Sequence, residues 1–117
     1  MKIVMLGAGA LGSTIGGTLA MGGNDVHFVD MWQEHVDLIN KDGLHMTNEK
    51  EDWYVRVDAR TTADTIGEAD LVIVLVKSFA TKQAVEQLKQ TNVIGKNTLV
   101  MSLQNGLGNE ETIASVI

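Results

Sequence analysis

Apolar runs and a helical pattern alternate near the N-terminus of the chain. The runs Lys2–Leu6 (KIVML) and Asp25–Val29 (DVHFV) are short and β-prone, and glycine or asparagine borders each of them. Between them, Leu11, Ile15 and Leu19 recur at every fourth position and predict a helix with one apolar stripe. This order predicts a βαβ unit with parallel strands and a right-handed connection.

The rest of the chain continues the alternation. Trp32, Val36 and Ile39 predict a second helix, and the polar segment 45–57 contains two β-prone pieces separated by NEKED, as in a hairpin. The segments 71–76 (LVIVLV) and 98–103 (TLVMSL) are almost continuously apolar, as strands covered on both faces are. Between them, a third helix has its apolar side at Ala84, Val85 and Leu88. The pattern predicts a doubly wound α/β fold of Rossmann type, with residues 1–117 forming one domain.

Charge and composition narrow the classes of partner. The net charge is -6 and the isoelectric point is near 4.8, whereas nucleic acids and anionic membranes are bound by clustered Lys and Arg. The longest apolar run is much shorter than a membrane span, and the N-terminus lacks the pattern of a signal peptide. There is no cysteine, and the three histidines lack the spacing of metal ligands. We therefore expect a cytoplasmic protein with no metal, nucleic-acid or membrane partner.

Glycines are concentrated in the segment LGAGALGSTIGG, residues 6–17, where the first strand meets the first helix. Gly7, Gly9 and Gly12 form the pattern G-x-G-x-x-G, which combines a sharp turn, close approach of a pyrophosphate and tight helix packing. The helix N-terminus adds N–H groups and a partial positive charge. The predicted dinucleotide phosphate site comprises Gly7, Ala8, Gly9, Ala10, Leu11 and Gly12. The alternative is a tight turn that binds no ligand.

Asp30 ends the second predicted strand, where it is placed to accept hydrogen bonds from the adenosine ribose. The alternative is that Asp30 caps the second helix with Gln33 as its capping-box partner, and the two roles are compatible. A 2′-phosphate beside Asp30 would meet a repulsion of about 4 kcal/mol per unit-charge pair at 4 Å and an effective dielectric of 20, with no arginine nearby to offset it. NAD is therefore favoured over NADP.

Two further segments follow predicted strands at the same edge of the sheet, VKSFA at 76–80 and LQNGLGNEE at 103–111. Open α/β sheets bind ligands at this edge. Lys77 is placed to approach the cofactor or substrate, and the alternative is a solvated charge at a strand end. Asn105 is a candidate for the same site, and the alternative is a simple turn with Gly106.

The segments KIVMLGAGALGS, VLVKS and LQNGLGNEE, with their spacing, resemble the N-terminal domain of the ketopantoate reductase (2-dehydropantoate 2-reductase) family over essentially all 117 residues. The resemblance implies hydride transfer from a nicotinamide cofactor to the carbonyl of a 2-keto acid. It places Asn105 near the nicotinamide and substrate, Lys77 near the cofactor, and the glycine turn around the pyrophosphate. It also implies a helical C-terminal domain with a catalytic lysine and a carboxylate, and a homodimer in the intact enzyme. Because the chain stops at Ile117, inside a predicted helix, we expect a fragment that binds cofactor but transfers no hydride alone.

The chain departs from the family pattern at Asp30, because ketopantoate reductases commonly use NADPH and carry a basic residue near the end of the second strand. The same family includes NAD-dependent dehydrogenases of D-2-hydroxy acids such as mandelate, which are the first alternative. The second alternative is a non-enzymatic NAD-sensing domain similar to those of potassium-transport regulators. Such a sensor would carry the glycine pattern and the acidic residue, but it has no evident need for Lys77 or Asn105.

Overall fold

The computed structural model describes residues 1–7, 9–47, 49–64, 66–75 and 81–102, with the side chains of residues 10 and 81–84 left out. The strands are β1 (Lys2–Leu6), β2 (Asp25–Val29), β3 (Leu44–Thr47), β4 (Asp52–Val55), β5 (Asp58–Arg60), β6 (Leu71–Val74) and β7 (Leu99–Ser102). The helices are α1 (Ala10–Met21), α2 (Gln33–Asp42) and α3 (Thr81–Gln90). Within these described ranges, no helix is both long enough and apolar enough to cross a membrane.

Five strands form one parallel sheet in the order β5-β2-β1-β6-β7. β1 pairs with β2 on one side and with β6 on the other, so that Ile3 lies opposite both Val26 and Leu71. The chain therefore winds outward from β1 in two directions, which opens a crevice above the carboxyl ends of the central strands. This topology confirms the predicted doubly wound α/β fold of Rossmann type.

Each face of the sheet is covered by its own apolar layer. On one face, Met5 of β1 and Phe28 of β2 are fully buried beneath α1, α2 and the β3–β4 hairpin. On the other face, Val4 of β1 packs with Val85 and Leu88 of α3. Because successive residues of a strand point to opposite faces, a strand covered on both sides has an almost continuous apolar run. This explains why the central strands were predictable from the sequence.

Glycines rather than a full apolar stripe bring α1 against the sheet. Leu11, predicted to begin the stripe, is 56% exposed, so that part of the prediction is wrong, whereas Ile15 and Leu19 pack partly buried against the core. A Cβ on Gly16 would overlap the ring of Phe28. The bare surface of the helix is therefore what lets the Phe28 ring fill the space between α1 and β2.

The hairpin in the polar segment is confirmed, because β3 and β4 pair antiparallel with Met46 opposite Trp53. β5, in contrast, was not predicted. Its three residues, Asp-Ala-Arg, contain no apolar run, and only Ala59 is buried. β5 is a strand because its backbone pairs with β2, with Asp58 opposite His27, and no local pattern records that long-range contact.

Candidate functional site at the carboxyl edge of the sheet

β1 leads into a turn at Gly7, whose φ of +113° is readily adopted only by glycine. The Gly7 N–H donates to the carbonyl of Val29 at 2.9 Å, and the Leu75 N–H donates to the carbonyl of Leu6 at 2.9 Å. The end of β1 is thereby held to the ends of both neighbouring strands. The sharp turn expected at Gly7 is present, and it lies at the point where the winding of the sheet reverses.

The N-terminus of α1 points into this crevice without a side-chain cap. Gly9 is the N-cap residue, with extended backbone, and the first turn of the helix carries no acidic side chain. The first intrahelical hydrogen bond runs from the N–H of Ser13 to the carbonyl of Gly9 at 2.8 Å, so the preceding N–H groups have no intrahelical acceptor. Together with the helix dipole, these groups favour an anion at this position.

Gly9 and Gly12 have different roles in the turn. Among the described residues, no atom lies within 4 Å of a Cβ added to Gly9, which leaves room there for a ligand to approach the backbone. A Cβ on Gly12 would lie 2.6 Å from the Gly7 carbonyl oxygen and 3.3 Å from Cδ1 of Leu75. Gly12 is therefore needed for the turn itself, whereas no contact within the described part of the chain requires a glycine at position 9.

Asp30 lies directly after β2, beside this turn. Its N–H donates to the carbonyl of Arg60 at 2.9 Å, and its Oδ1 accepts a hydrogen bond from the N–H of Trp32 at 2.9 Å. The N-cap of α2 is Trp32, which makes no side-chain cap bond, and the Gln33 amide donates instead to Asp37 at 2.8 Å. The expectation that Asp30 and Gln33 form a capping box is therefore wrong, because α2 begins two residues later than that motif requires.

Arg60 is a neighbour of Asp30 that the sequence did not predict. Arg60 is the last residue of β5 and pairs with Val29, the residue before Asp30. The expectation that no arginine lies near Asp30 is therefore wrong. The Arg60 guanidinium donates from Nε to Asp58 at 2.7 Å and from Nη1 to the carbonyl of Asp64 at 2.9 Å. The arginine is thus already engaged with other groups of the protein.

An ionic cluster joins β5 to β2 beneath Asp30. His27 Nδ1 and Asp58 Oδ2 are 2.9 Å apart, and His27 Nε2 lies 3.0 Å from Asp25 Oδ1 without the alignment of a hydrogen bond. Partial burial raises the pKa of Asp58, but the hydrogen bonds and charges of His27 and Arg60 outweigh this and leave the pKa below its usual value. The cluster stabilises the strand whose last residue holds the backbone of Asp30.

A cavity of about 590 Å³ opens beside Gly9 and Asp30, between α1, α2 and the hairpin. Trp32 and His35 line it on the α2 side, and Tyr54 lines it on the hairpin side. Trp32 was predicted to belong to the apolar stripe of α2, but it is 63% exposed, so this part of the prediction is wrong. Its position just after the predicted ribose carboxylate was the only sequence signal for a role in the site.

The structure thus brings Gly7, Gly9, Leu11, Gly12 and Asp30 to one edge of the sheet, with the exposed Leu11 in the first turn of α1. Ala8, Lys77 and Asn105 lie outside the described residues, as does the side chain of Ala10. Their roles remain predictions.

The parallel sheet winds in both directions from β1, and the glycine turn and the N-terminus of α1 lie at the point where the direction changes. These features define a Rossmann-type nucleotide-binding fold. The chain belongs to the family described as ketopantoate reductase PanE/ApbA, whose family model matches residues 3–117.

Curated and solved relatives agree with this assignment. The 2-dehydropantoate 2-reductase of Pyrococcus abyssi is 43% identical over 113 residues, which cover 97% of this chain and 36% of the relative. The PanE/ApbA family ketopantoate reductase of Ralstonia eutropha has a TM-score of 0.91 at 37% identity, covering 100% of this chain and 38% of that one. A D-mandelate dehydrogenase solved with NADH and anilino(oxo)acetate has a TM-score of 0.91 at 30% identity, with the same coverage of both chains. The chain therefore spans little more than a third of the length of these relatives.

Proposed function

We propose that this chain binds the adenosine and pyrophosphate of a nicotinamide dinucleotide at the carboxyl edge of its sheet. In the whole protein it would be the cofactor-binding part of an oxidoreductase that transfers hydride to the carbonyl of a 2-keto acid. One observation carries the proposal: the open backbone at Gly9 and the carboxylate of Asp30 lie at the ends of adjacent strands, held by the hydrogen bond from Gly7 to Val29.

Each described residue of the site has a distinct role in this proposal. The N–H groups at the start of α1 bind the pyrophosphate, and Gly9 lets it approach the backbone. Asp30 accepts hydrogen bonds from the ribose hydroxyls. The bound cofactor supplies the hydride, while the protein supplies binding and orientation. Lys77 and Asn105 complete the proposed site, with Lys77 near the cofactor and Asn105 near the nicotinamide and substrate.

Asp30 makes NAD the favoured cofactor. A carboxylate that accepts hydrogen bonds from the ribose repels a 2′-phosphate at the same place. The guanidinium of Arg60 already binds Asp58 and the Asp64 carbonyl, so it offers only limited compensation. The D-mandelate dehydrogenase that matches this fold was solved with NADH, which supports the same choice.

Calorimetric titration with NADH and NADPH tests the cofactor proposal. We expect tighter binding of NADH, and we expect Asp30→Ala to weaken NADH binding about tenfold or more because a hydrogen bond to a charged group is lost. Arg60→Ala is the matched control for the neighbouring charge and should weaken NADPH more than NADH. Tighter NADPH binding by the unmodified chain would contradict the NAD assignment. No binding of either dinucleotide would contradict the dinucleotide site.

For the whole protein we propose that residues 1–117 form the cofactor domain and that a helical domain supplies the catalytic lysine and a carboxylate. The chain alone is then expected to bind cofactor without turnover. The curated relative that acts as a 2-dehydropantoate 2-reductase makes 2-dehydropantoate the leading substrate. We further propose a homodimer in the cytoplasm, with no metal, nucleic-acid or membrane partner.

A D-2-hydroxyacid dehydrogenase of mandelate type is the second candidate, favoured by Asp30 and by the likeness to D-mandelate dehydrogenase. Steady-state oxidation of NADH by the whole protein, with 2-dehydropantoate and with phenylglyoxylate as substrates, separates the two. The larger kcat/KM identifies the substrate class. Asn105→Ala should reduce kcat/KM for either substrate. Binding of NADH without reduction of any 2-keto acid would instead support the NAD-sensing alternative.

A further inference from the structure

We propose that the indole ring of Trp32, supported by His35, is the surface on which the adenine ring of the dinucleotide stacks. The inference rests on the proposed function and deepens it, because it assigns a residue of this chain to recognition of the base. The relevant geometry is the exposed Trp32 ring at the edge of the cavity beside Asp30.

Trp32 is held next to the proposed ribose ligand. Its N–H donates to Oδ1 of Asp30 at 2.9 Å, which links the backbone of the tryptophan to the carboxylate. In an adenosine the base is bonded to the ribose whose hydroxyls Asp30 would bind. The base must therefore lie within one sugar ring of Asp30, the residue whose carboxylate is hydrogen-bonded to the backbone of Trp32.

The Trp32 ring is also oriented by a neighbour. Its centroid lies 5.6 Å from that of His35, with 24° between the two ring planes, so the rings are stacked. His35 lies three residues further along and is half-buried in α2, which makes it a firm support. The tryptophan nevertheless remains 63% exposed, a large apolar surface in contact with solvent. Exposed aromatic rings of this kind stack on the π-face that every nucleobase has, and this stacking needs no hydrogen bonds to the base.

A second exposed aromatic residue lines the same cavity and provides a comparison. Tyr54, 60% exposed, stacks on His45 with ring centroids 5.1 Å apart. It belongs to the β3–β4 hairpin, on the opposite side of the cavity from α2, whereas the backbone of Trp32 is hydrogen-bonded to Asp30. The two aromatic pairs therefore resemble each other chemically but differ in their link to the ribose ligand. The proposal assigns the base to Trp32 alone.

Fluorescence of the 117-residue chain gives the first test. The chain has two tryptophans, so Trp53→Phe leaves Trp32 as the only indole emitter. AMP is the probe because it carries the base, ribose and one phosphate but no nicotinamide. We expect AMP to quench the Trp32 emission with a saturable dependence on its concentration. A spectrum unchanged at AMP concentrations that calorimetry shows to be saturating would overturn the proposal.

Matched variants give the second test by calorimetry with AMP and with NADH. Trp32→Ala should weaken both ligands about tenfold, in line with the usual contribution of one base–aromatic stack, whereas Trp32→Phe should retain most of the affinity. Tyr54→Ala, at the other aromatic residue of the cavity, should weaken both ligands less than Trp32→Ala does. Equal affinities for Trp32→Ala and the unmodified chain, or a loss confined to Tyr54→Ala, would overturn the assignment while leaving the proposed function intact. Failure of the unmodified chain to bind either probe would overturn the proposed function and this inference together.

Discussion

The side chain of Asn40 in α2 exchanges two hydrogen bonds with the backbone of Ala59 in β5. Asn40 Nδ2 donates to the Ala59 carbonyl at 2.8 Å, and the Ala59 N–H donates to Asn40 Oδ1 at 3.0 Å. Backbone groups along a sheet edge have no strand partner, so the amide side chain takes the place of one. The next residue, Arg60, accepts the hydrogen bond from Asp30. The pair therefore helps to fix the strand that positions the proposed ribose ligand.

Removing this amide should destabilise the fold. Asn40→Ala loses both hydrogen bonds and should lower the free energy of unfolding by about 1–3 kcal/mol. Asn40→Asp retains the acceptor but loses the donor, so we expect an intermediate loss. Urea unfolding followed by circular dichroism measures both variants. A midpoint for Asn40→Ala equal to that of the unmodified chain would show that water replaces the amide at no cost.

The packing of Gly16 against Phe28 leads to a second prediction. Alanine stabilises a helix interior by about 1 kcal/mol relative to glycine, but overpacking a core costs about 1–3 kcal/mol. Because Phe28 is fully buried, its ring has no space to move into, and Gly16→Ala should be destabilising overall.

Gly17→Ala is the matched control on the same helix. Its Cβ would meet the end of the Met46 side chain, which has several flexible torsions and can move aside. We expect its thermal midpoint to lie close to that of the unmodified chain and above that of Gly16→Ala. The reverse order would show that the hairpin, rather than Phe28, limits the approach of α1 to the sheet.

The two glycines of the turn should separate stability from binding. Gly12→Ala forces a Cβ against the Gly7 carbonyl and should destabilise the chain by about 1–3 kcal/mol. The methyl group of Gly9→Ala meets no atom of the residues that the structure describes, so the free energy of unfolding should change by less than about 1 kcal/mol.

The affinity of Gly9→Ala for NADH tests whether Gly9 is needed for ligand binding. The new methyl group would occupy the space proposed for the pyrophosphate, and NADH affinity measured by calorimetry should fall at least tenfold in a folded variant. If Gly9→Ala binds NADH as tightly as the unmodified chain does, the phosphates do not approach the backbone at this residue.

The lowered pKa of Asp58 predicts that the stability of the fold depends on pH. Its pKa in the folded chain lies below the ordinary value of about 3.9, because the His27 and Arg60 contacts outweigh the effect of burial. A depressed carboxylate pKa stabilises the fold above the unfolded-state pKa, and this contribution is lost as the pH falls through the folded-state value. The imidazole of His27 faces two carboxylates, Asp58 at Nδ1 and Asp25 at Nε2, so Asp25 is a second acidic group whose effect on stability has to be measured separately.

Asp58→Asn tests this relationship. The variant should be less stable than the unmodified chain at pH 6, and the difference in free energy of unfolding should shrink as the pH is lowered below about 4. Asp25→Asn is the control, because Asp25 is more exposed and lacks the contact with Arg60. A difference between Asp58→Asn and the unmodified chain that stays constant from pH 6 to pH 3 would contradict the proposed electrostatic origin.

Much of the candidate site was predictable because its signals are local. The turn at Gly7 and the start of α1 follow from glycine spacing at a strand end, and the buried central strands follow from their apolar runs. The prediction was wrong where one helix face had to be chosen, because Leu11 and Trp32 have apolar side chains that the structure leaves exposed. Side-chain hydrophobicity alone does not reveal whether another element covers that side of a helix.

The sequence by itself determined the doubly wound fold, the glycine turn and the place of Asp30 at the end of β2. These depend on residues close together in the chain, whose periodicity and backbone freedom restrict the local conformations. Only the tertiary structure decided that β5 pairs with β2, that Arg60 lies beside Asp30, and that Trp32 faces a cavity shared with the hairpin. These relationships depend on contacts between residues far apart in the sequence, and such contacts form only when whole strands and helices pack together.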